Sequence, residues 1–346
     1  MLEFKNDKWK ALLSLAPSLL LMAVFTFYPI INTVLTAFME GYTFGVWYDV
    51  VNDMGEVVTE GWLDNFGRTI IQVSRDSAGN IISETKIHFG IGISNFVAIF
   101  KDPTFISSLK NTATMVIISV PLAVVVALFI AVALNGIKKF QGFFQTIYFL
   151  PYVTNTIALG MVFSILFSSS NGIVNAAIKA FGGDPVAWIN PLGSVQPTYW
   201  TAMTVLMIYT VWDSLAFKIL VFLSGMQSID KQYYQAAQID ATPRWRVFSK
   251  ITVPLLSPMI AYITITSFIG AFKAYSSVIA VFNGRFGPAA GPQWLITVVG
   301  YTYNKLGRMS EMNQLSQASA SALVLFAIIM LITLVQLWVS KKKVHY

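Results

Sequence analysis

Cysteine is absent from the 346 residues, and histidine occurs only at His88 and His345. The first absence excludes disulfide and thiol chemistry. Motifs that would make the chain an enzyme are missing as well: it has no G-x-x-x-x-G-K-[ST] phosphate loop, no H-E-x-x-H and no G-x-S-x-G elbow. Charge is scarce. Only 11% of the residues are Asp, Glu, Lys or Arg, against roughly 25% in a soluble domain, too few to cover a water-facing surface. Apolar residues fill the gap, at 55% of the chain with a mean hydropathy of +0.64.

Runs of about 20 apolar residues, long enough to cross hydrocarbon as helix, recur along the chain. They read as six spans: Ala11–Phe38, Phe105–Leu134, Phe144–Phe167, Tyr199–Leu223, Leu255–Phe282 and Gln317–Val339. The expected fold class is an all-α membrane protein with six transmembrane helices. The runs are too long and continuous for barrel strands, which alternate over about ten residues. The first run, after Lys5, Lys8 and Lys10, exceeds a signal-peptide core and has no small-residue cleavage site. It is expected to be a retained first span.

Basic residues set the orientation. With the N-terminus inside, inner segments carry Lys5, Lys8, Lys10, Lys138, Lys139, Lys231, Arg244, Arg246, Lys250 and Lys341–Lys343. Outer loops are longer, hold fewer basic residues and carry most of the acids, among them Glu40, Asp49, Glu60 and Asp76. The positive-inside rule puts both termini in the cytoplasm. The net charge of +7 then reflects orientation in the bilayer, with no nucleic acid as partner. The expected organisation is a cytoplasmic N-terminus (1–10), a first span (11–38), an outer loop (39–104), a five-helix core (105–340) with a cytoplasmic loop at 224–254, and a cytoplasmic tail (341–346).

Within the outer loop, Ile70–Ser74 and Ile81–Ile87 are β-rich and flank the turn-rich stretch Arg75-Asp-Ser-Ala-Gly-Asn80. They predict a β-hairpin insertion, with Trp47–Val51 as a further candidate strand. Such an insertion reads either as decoration over the first span or as a docking surface for an external partner.

The stretch Gln232–Pro258 is a basic interruption between two apolar runs. Preceded by Lys231, it holds Arg244, Arg246 and Lys250 together with the small pair Ala236–Ala237. Its segment Tyr233-Tyr-Gln-Ala-Ala-Gln-Ile-Asp-Ala-Thr242, followed by Ile251-Thr-Val-Pro254, resembles the EAA loop of permeases in bacterial ABC importers, Y-x-E-A-A-x-x-D-G-A and then I-x-L-P. The resemblance extends to Ile91-Gly-Ile-Ser-Asn-Phe96, Asp102-Pro-Thr-Phe105, Leu109-Lys-Asn-Thr112, Phe149-Leu-Pro151 and the tail Lys341–Tyr346. These are similar to the carbohydrate branch, the maltose- or glycerol-phosphate-type permeases, and leave out mainly the insertion from about Phe44 to His88.

The resemblance implies a type I ABC importer permease fold and a heterodimer with a second, related permease. It also implies two cytosolic ATPase subunits that use ATP and Mg, an external solute-binding protein, a carbohydrate substrate, and no cofactor or metal in this chain. It implies that Tyr234, Gln235, Ala236, Ala237, Asp240 and Ala241 couple to the ATPase, with Tyr234–Thr242 as a lever. Two positions depart from the family pattern: Gln235 stands where an acid is usual and Ala241 where glycine is usual. Because φ > 0 is costly for alanine, a helical backbone is expected at Ala241. An interfacial amphipathic helix anchored by Tyr233, Tyr234 and Trp245 is the blander reading of the same pattern.

A sugar path calls for aromatic faces and hydrogen-bonding groups near the bilayer midplane. Phe268, Phe272 and Tyr275 fall at i, i+4, i+7, one face of a helix. Beside them are Ser267, Lys273 and Ser276, with Trp212 and Asp213 on span four and Tyr152, Asn155 and Thr156 on span three. Such aromatic stripes also pack against neighbouring helices or lipid. Asp213 lies too deep to face lipid cheaply; Lys218 and Lys273, nearer the span ends, read as snorkelling. The rival function is an ion-coupled secondary transporter, which calls for inverted repeats and buried ionisable groups. The chain shows no convincing repeat, and Asp213 is the only acid deep in a span. A membrane-anchored scaffold would not need the ordered loop.

Overall fold

A computed structural model describes residues 7–40, 42, 48–51, 57–63, 69–75, 81–88, 90–137, 141–288, 293–308 and 313–343. The elements begin with α1 (Asp7–Met22), a π-helical turn at Ala23–Phe27 and α2 (Tyr28–Phe38). Six strands follow: β1 (Met39–Glu40), β2 (Tyr48–Val51), β3 (Val57–Leu63), β4 (Thr69–Arg75), β5 (Ile81–His88) and β6 (Gly90–Ile91). Then come α3 (Ser94–Lys101), α4 (Pro103–Asn135), α5 (Gln141–Val153), α6 (Thr156–Leu166), α7 (Ile173–Ala180), α8 (Tyr199–Gln227), α9 (Lys231–Ile239) and α10 (Arg244–Val247). After a second π turn at Phe248–Thr252 the chain continues as α11 (Val253–Leu255), α12 (Ser257–Phe272), α13 (Ser276–Val281), α14 (Val298–Leu306) and α15 (Gln314–Lys343).

Four helices among the described residues are long and apolar enough to cross a membrane, at Leu13–Phe38, Pro103–Asn135, Tyr199–Gln227 and Gln314–Lys342. A fifth candidate is the pair Arg244–Leu255 and Ser257–Phe272, bent by 67°. The expected third and fifth spans are therefore not continuous helices. The third is divided between α5, of 13 residues, and α6, of 11. Asn155 makes the break: its backbone is extended (φ −63°, ψ 123°), and its Oδ1 accepts the N–H groups of Ile157 at 2.8 Å and Ala158 at 3.4 Å. That N-cap satisfies donors a new helix would otherwise leave unpaired. The fifth expected span ends as α12 at Phe272 and resumes as α13, while Leu255 belongs to the preceding arm.

The chain divides into two compact units. The first comprises Met1–Pro103 and Tyr301–Val324. In it β1 pairs antiparallel with β6, Met39 opposite Ile91 and Glu40 opposite Gly90, forming a two-residue neck. Strands β2-β3-β4-β5 form an antiparallel sheet in that order, with Ile70 opposite Ile87 and Gln72 opposite Thr85. Strands β4 and β5 cover the stretches read as a hairpin, and their connection at 76–80 lies outside the described residues. Strand β3 was not anticipated. The family-like Asn95 donates to the carbonyls of Ala37 at 3.1 Å and Met39 at 2.8 Å. Asp102 accepts the Tyr301 hydroxyl at 2.8 Å and pairs with Lys305 at 3.6 Å. Across the neck, the Glu40 carboxylate accepts the Ser94 N–H at 2.8 Å, at the start of α3. Hydrogen bonds from the Ser94 side chain and backbone hold the Glu40 carboxyl below its usual range.

The second unit comprises Thr104–Gly300 and Leu325–Tyr346. Along α4 the small residues Ala123, Ala127 and Ala131 are buried at i, i+4, i+8, a stripe that allows close helix approach. Asn111 and Thr112 clamp an irregular segment. Asn111 Nδ2 donates to the carbonyls of Trp294 at 2.7 Å and Ile296 at 2.9 Å, and Thr112 Oγ1 accepts the Val298 N–H at 3.1 Å. The clamp answers the requirement that buried backbone polar groups find partners. Between α6 and α13 the approach is tight: a Cβ on Gly160 would lie 2.7 Å from the Ala280 carbonyl carbon. Phe163 gathers Tyr209 at 5.1 Å and Trp212 at 5.2 Å between ring centroids.

Candidate functional site

Helix α9 stands between the long α8 and the bent arm, and its two faces differ. Gln232, Gln235, Ala236 and Ile239, at i, i+3, i+4, i+7, are all exposed, Ile239 at 85%. Tyr234 and Ala237 turn the other way. The Tyr234 hydroxyl meets Thr252 Oγ1 at 3.3 Å, and Ala237 is 6% exposed. Ala236 and Ala237 therefore do not form a single seat for a partner, because adjacent helical positions point about 100° apart. Only Ala236 lies on the exposed face with Gln235.

The helix begins and ends under control. At its start Asp230 accepts the Gln232 N–H at 2.9 Å. At its end the Thr242 N–H reaches the Ala237 carbonyl at 2.9 Å and the Ala241 N–H reaches the Gln238 carbonyl at 3.1 Å. This is the paired hydrogen bonding of a Schellman cap, which needs a left-handed residue at its first position beyond the helix. Ala241 supplies it with φ +47°, so the helical backbone expected there is corrected. The cap geometry holds even though the residue bears a Cβ. Asp240, the residue before it, is exposed. Pro243 then starts the arm, where Phe248 stacks on Phe129 of α4 at 5.7 Å. Behind α9 lies a cavity of 620 Å³ whose walls include Tyr234, Ala237, Ala241, Phe248, Val132 and Gly136.

A second cavity, of 490 Å³, is bounded by α4, α5, α6, α8, α12 and α13. Its mostly apolar walls carry polar side chains, among them Ser119, Thr156, Thr210, Asp213, Ser214, Lys218, Ser267, Lys273, Tyr275 and Ser276. On one side Tyr152 and Phe217 stack at 6.0 Å with an interplanar angle of 20°.

Of the six residues expected along a substrate path, Asp213 and Tyr275 line this cavity, and Asn155, Trp212, Phe268 and Phe272 do not. Asn155 is the cap of α6, Trp212 packs on Phe163, and Phe272 is 6% exposed. The i, i+4, i+7 stripe fails because α12 caps at Lys273, which takes Tyr275 off the helical face of Phe268 and Phe272. Lys218 does not snorkel: it is 6% exposed and its Nζ donates to the Ser214 carbonyl at 3.2 Å. It lies nine positions before Gln227 at the end of α8, about 13.5 Å of helix rise, beyond the reach of a lysine. Sequence reasoning also missed Ser119, Thr210 and Phe217. Ordinary span residues carry no local signal of this kind.

Residues 90–344 match the family described as the binding-protein-dependent transport system inner membrane component. The lactose transport system permease protein LacF of Rhizobium radiobacter is 30% identical over 255 residues, covering 73% of this chain and 81% of that protein. The arabinooligosaccharides transport system permease protein AraP of Halalkalibacterium halodurans is 31% identical over 253 residues, covering 72% and 75%. Among solved structures, a chain of a bacterial ABC transporter involved in the import of the acidic polysaccharide alginate aligns with a TM-score of 0.71. It covers 97% of this chain and 96% of its own length at 19% identity, a likeness of fold. The chain belongs to the family of inner membrane components of binding-protein-dependent transport systems.

Proposed function

We propose that this chain is one of two related permease subunits forming the translocation path of an ATP-driven importer, with an oligosaccharide as its substrate. The carrying observation is α9, a short capped helix whose Gln235–Ala236 face is exposed and unoccupied by any other part of the described chain. Such a helix, followed after its cap by an arm bent by 67° into α12, suits a lever gripped by an ATPase. The kinship to permeases of lactose and arabinooligosaccharide systems supports the sugar.

In this reading the chain crosses the bacterial inner membrane six times, the broken α5–α6 pair and the bent arm each counting as one span, with both termini cytoplasmic. Two cytosolic ATPases hold the nucleotide and Mg and grip Gln235, Ala236 and Asp240. Tyr234, Ala237 and Ala241 lie behind that grip and transmit it through Thr252 and the rear cavity. Closure of the ATPases opens the path outward, an external solute-binding protein releases substrate into it, and hydrolysis resets the path inward. The chain itself catalyses no covalent step. Gln235 makes the contact neutral, resting on shape and uncharged hydrogen bonds, which are about half as strong as charge-assisted ones.

The test is reconstitution with candidate partner permease, ATPases and binding protein in proteoliposomes. Ala236→Trp should lower ATP hydrolysis stimulated by sugar-loaded binding protein about tenfold, equivalent to about 1.4 kcal/mol of contact energy. It should also weaken ATPase retention without unfolding the chain. Normal assembly and hydrolysis would reject the assignment.

A further inference from the structure

The charges on the wall of the 490 Å³ cavity do not cancel. It carries two lysines, Lys218 and Lys273, and one acid, Asp213. Lys218 is the unusual member. It is 6% exposed, and its hydrogen bond is to a neutral carbonyl, Ser214 O at 3.2 Å. Among the described residues no carboxylate lies within 4.0 Å of its Nζ. Asp213, five positions earlier on α8, borders the same cavity and attracts the Lys218 ammonium from beyond ion-pair distance. An ammonium has three N–H donors, and a buried charge is costly without a charged or hydrogen-bonding partner. Ser119 adds an independent observation. It is 1% exposed, lines the same cavity from α4, and its Oγ has no hydrogen-bond partner.

We infer that this cavity takes a sugar residue bearing an acidic group, a carboxylate or a phosphate, with Lys218 as the group that recognises the anion. The inference rests on the importer reading above and narrows its substrate class. The anion completes the hydrogen bonding of the Lys218 ammonium from the cavity side, with exposed Lys273 adding a second positive charge. Asp213 accepts from sugar hydroxyls, and the Tyr152–Phe217 pair offers an aromatic flank to the ring. A neutral sugar satisfies Asp213 equally well but offers the buried ammonium only uncharged oxygens to hydrogen-bond, and such bonds are roughly half as strong. The volume falls within the range of small-ligand sites.

The experiment is equilibrium binding to the assembled permease pair and ATPases in nanodiscs, using methyl glucoside, methyl glucuronide and glucose 6-phosphate. The expected result is that at least one acidic sugar binds about tenfold more tightly than the glucoside. Lys218→Gln should erase that preference while keeping glucoside binding, and Lys218→Arg should retain part of it. The tighter acid identifies the anion as carboxylate or phosphate. Equal affinity for all three sugars, or a preference that survives Lys218→Gln, overturns the inference and leaves the importer reading standing. Absence of binding by all three also overturns it, and uptake of neutral oligosaccharides by the same complex then judges the importer reading separately. Removing a buried charge should not lower the melting temperature of the complex, which separates loss of selectivity from loss of fold.

Discussion

Ala241 occupies the left-handed position of the cap on α9 at φ +47°, where a Cβ crowds the following carbonyl at roughly 1–2 kcal/mol. Ala241→Gly should therefore stabilise the chain by about 1 kcal/mol, read as a higher melting temperature in detergent. Ala241→Val should lower it, and identical melting for all three would show that the cap is unstrained. Glu40 gives a pH-dependent counterpart. Its folded carboxyl titrates below the unfolded one because Ser94 hydrogen-bonds the ionised form. Its contribution is present above the unfolded value, about pH 4.3, and is lost as pH falls through the folded value. Glu40→Gln should flatten the acid side of a melting-temperature profile and leave pH 7–8 free of any slope change. An unchanged acid limb would sink the assignment. Residue roles were the least legible level in the sequence. Lys218 read as snorkelling because its distance from the helix end matters in three dimensions, and Asn155 read as a sugar contact because capping and ligand binding use the same amide.

At the scale of elements, the Asn111–Thr112 clamp decides whether the segment from Trp294 to Val298 keeps its irregular path. Asn111→Ala strands the Trp294 and Ile296 carbonyls and removes the acceptor that Asn111 Oδ1 offers the Tyr199 hydroxyl at 3.1 Å. Buried groups left unsatisfied cost about 1–3 kcal/mol each, so a loss of about 3 kcal/mol is expected in an SDS unfolding titration. A change below about 1 kcal/mol would mean that water takes over the side chain's bonds. The long apolar helices were legible because hydrophobic runs of that length have few other uses. The breaks were not: a Thr154–Asn155 pair inside an apolar run looks like two tolerated polar residues until Asn155 is seen capping α6. Strand β3 was hidden by Glu60 and Gly61 in its middle, residues that local propensity counts against a strand.

For the molecule as a whole, the two-residue neck matters most to how the four-stranded sheet is attached. Met39 and Glu40 lie directly opposite Ile91 and Gly90, and opposed residues in an antiparallel ladder are about 4.5–5.5 Å apart. A two-residue Asn-Gly turn can close that gap. Replacing residues 41–89 by Asn-Gly should give a chain that purifies as a monodisperse species and melts within a few degrees of the parent. Aggregation or loss of the folded transition would show that the sheet is an integral part of the fold. The permease fold was legible because the EAA-like loop, the Asn111–Thr112 pair and Asp102 recur as ordered landmarks. The inward and outward faces of α9 were not, since motif spacing records sequence order and leaves orientation to packing.

The 67° bend between Arg244–Leu255 and Ser257–Phe272 makes the region after α9 a bell crank. A thrust along the first arm reaches the second mostly as a transverse push, because the two axes are closer to perpendicular than to parallel. Leu256, 1% exposed, packs the corner between the two arms. A small displacement of the first arm would then swing α12, and with it the cavity wall formed by Ser267 and its neighbours, sideways.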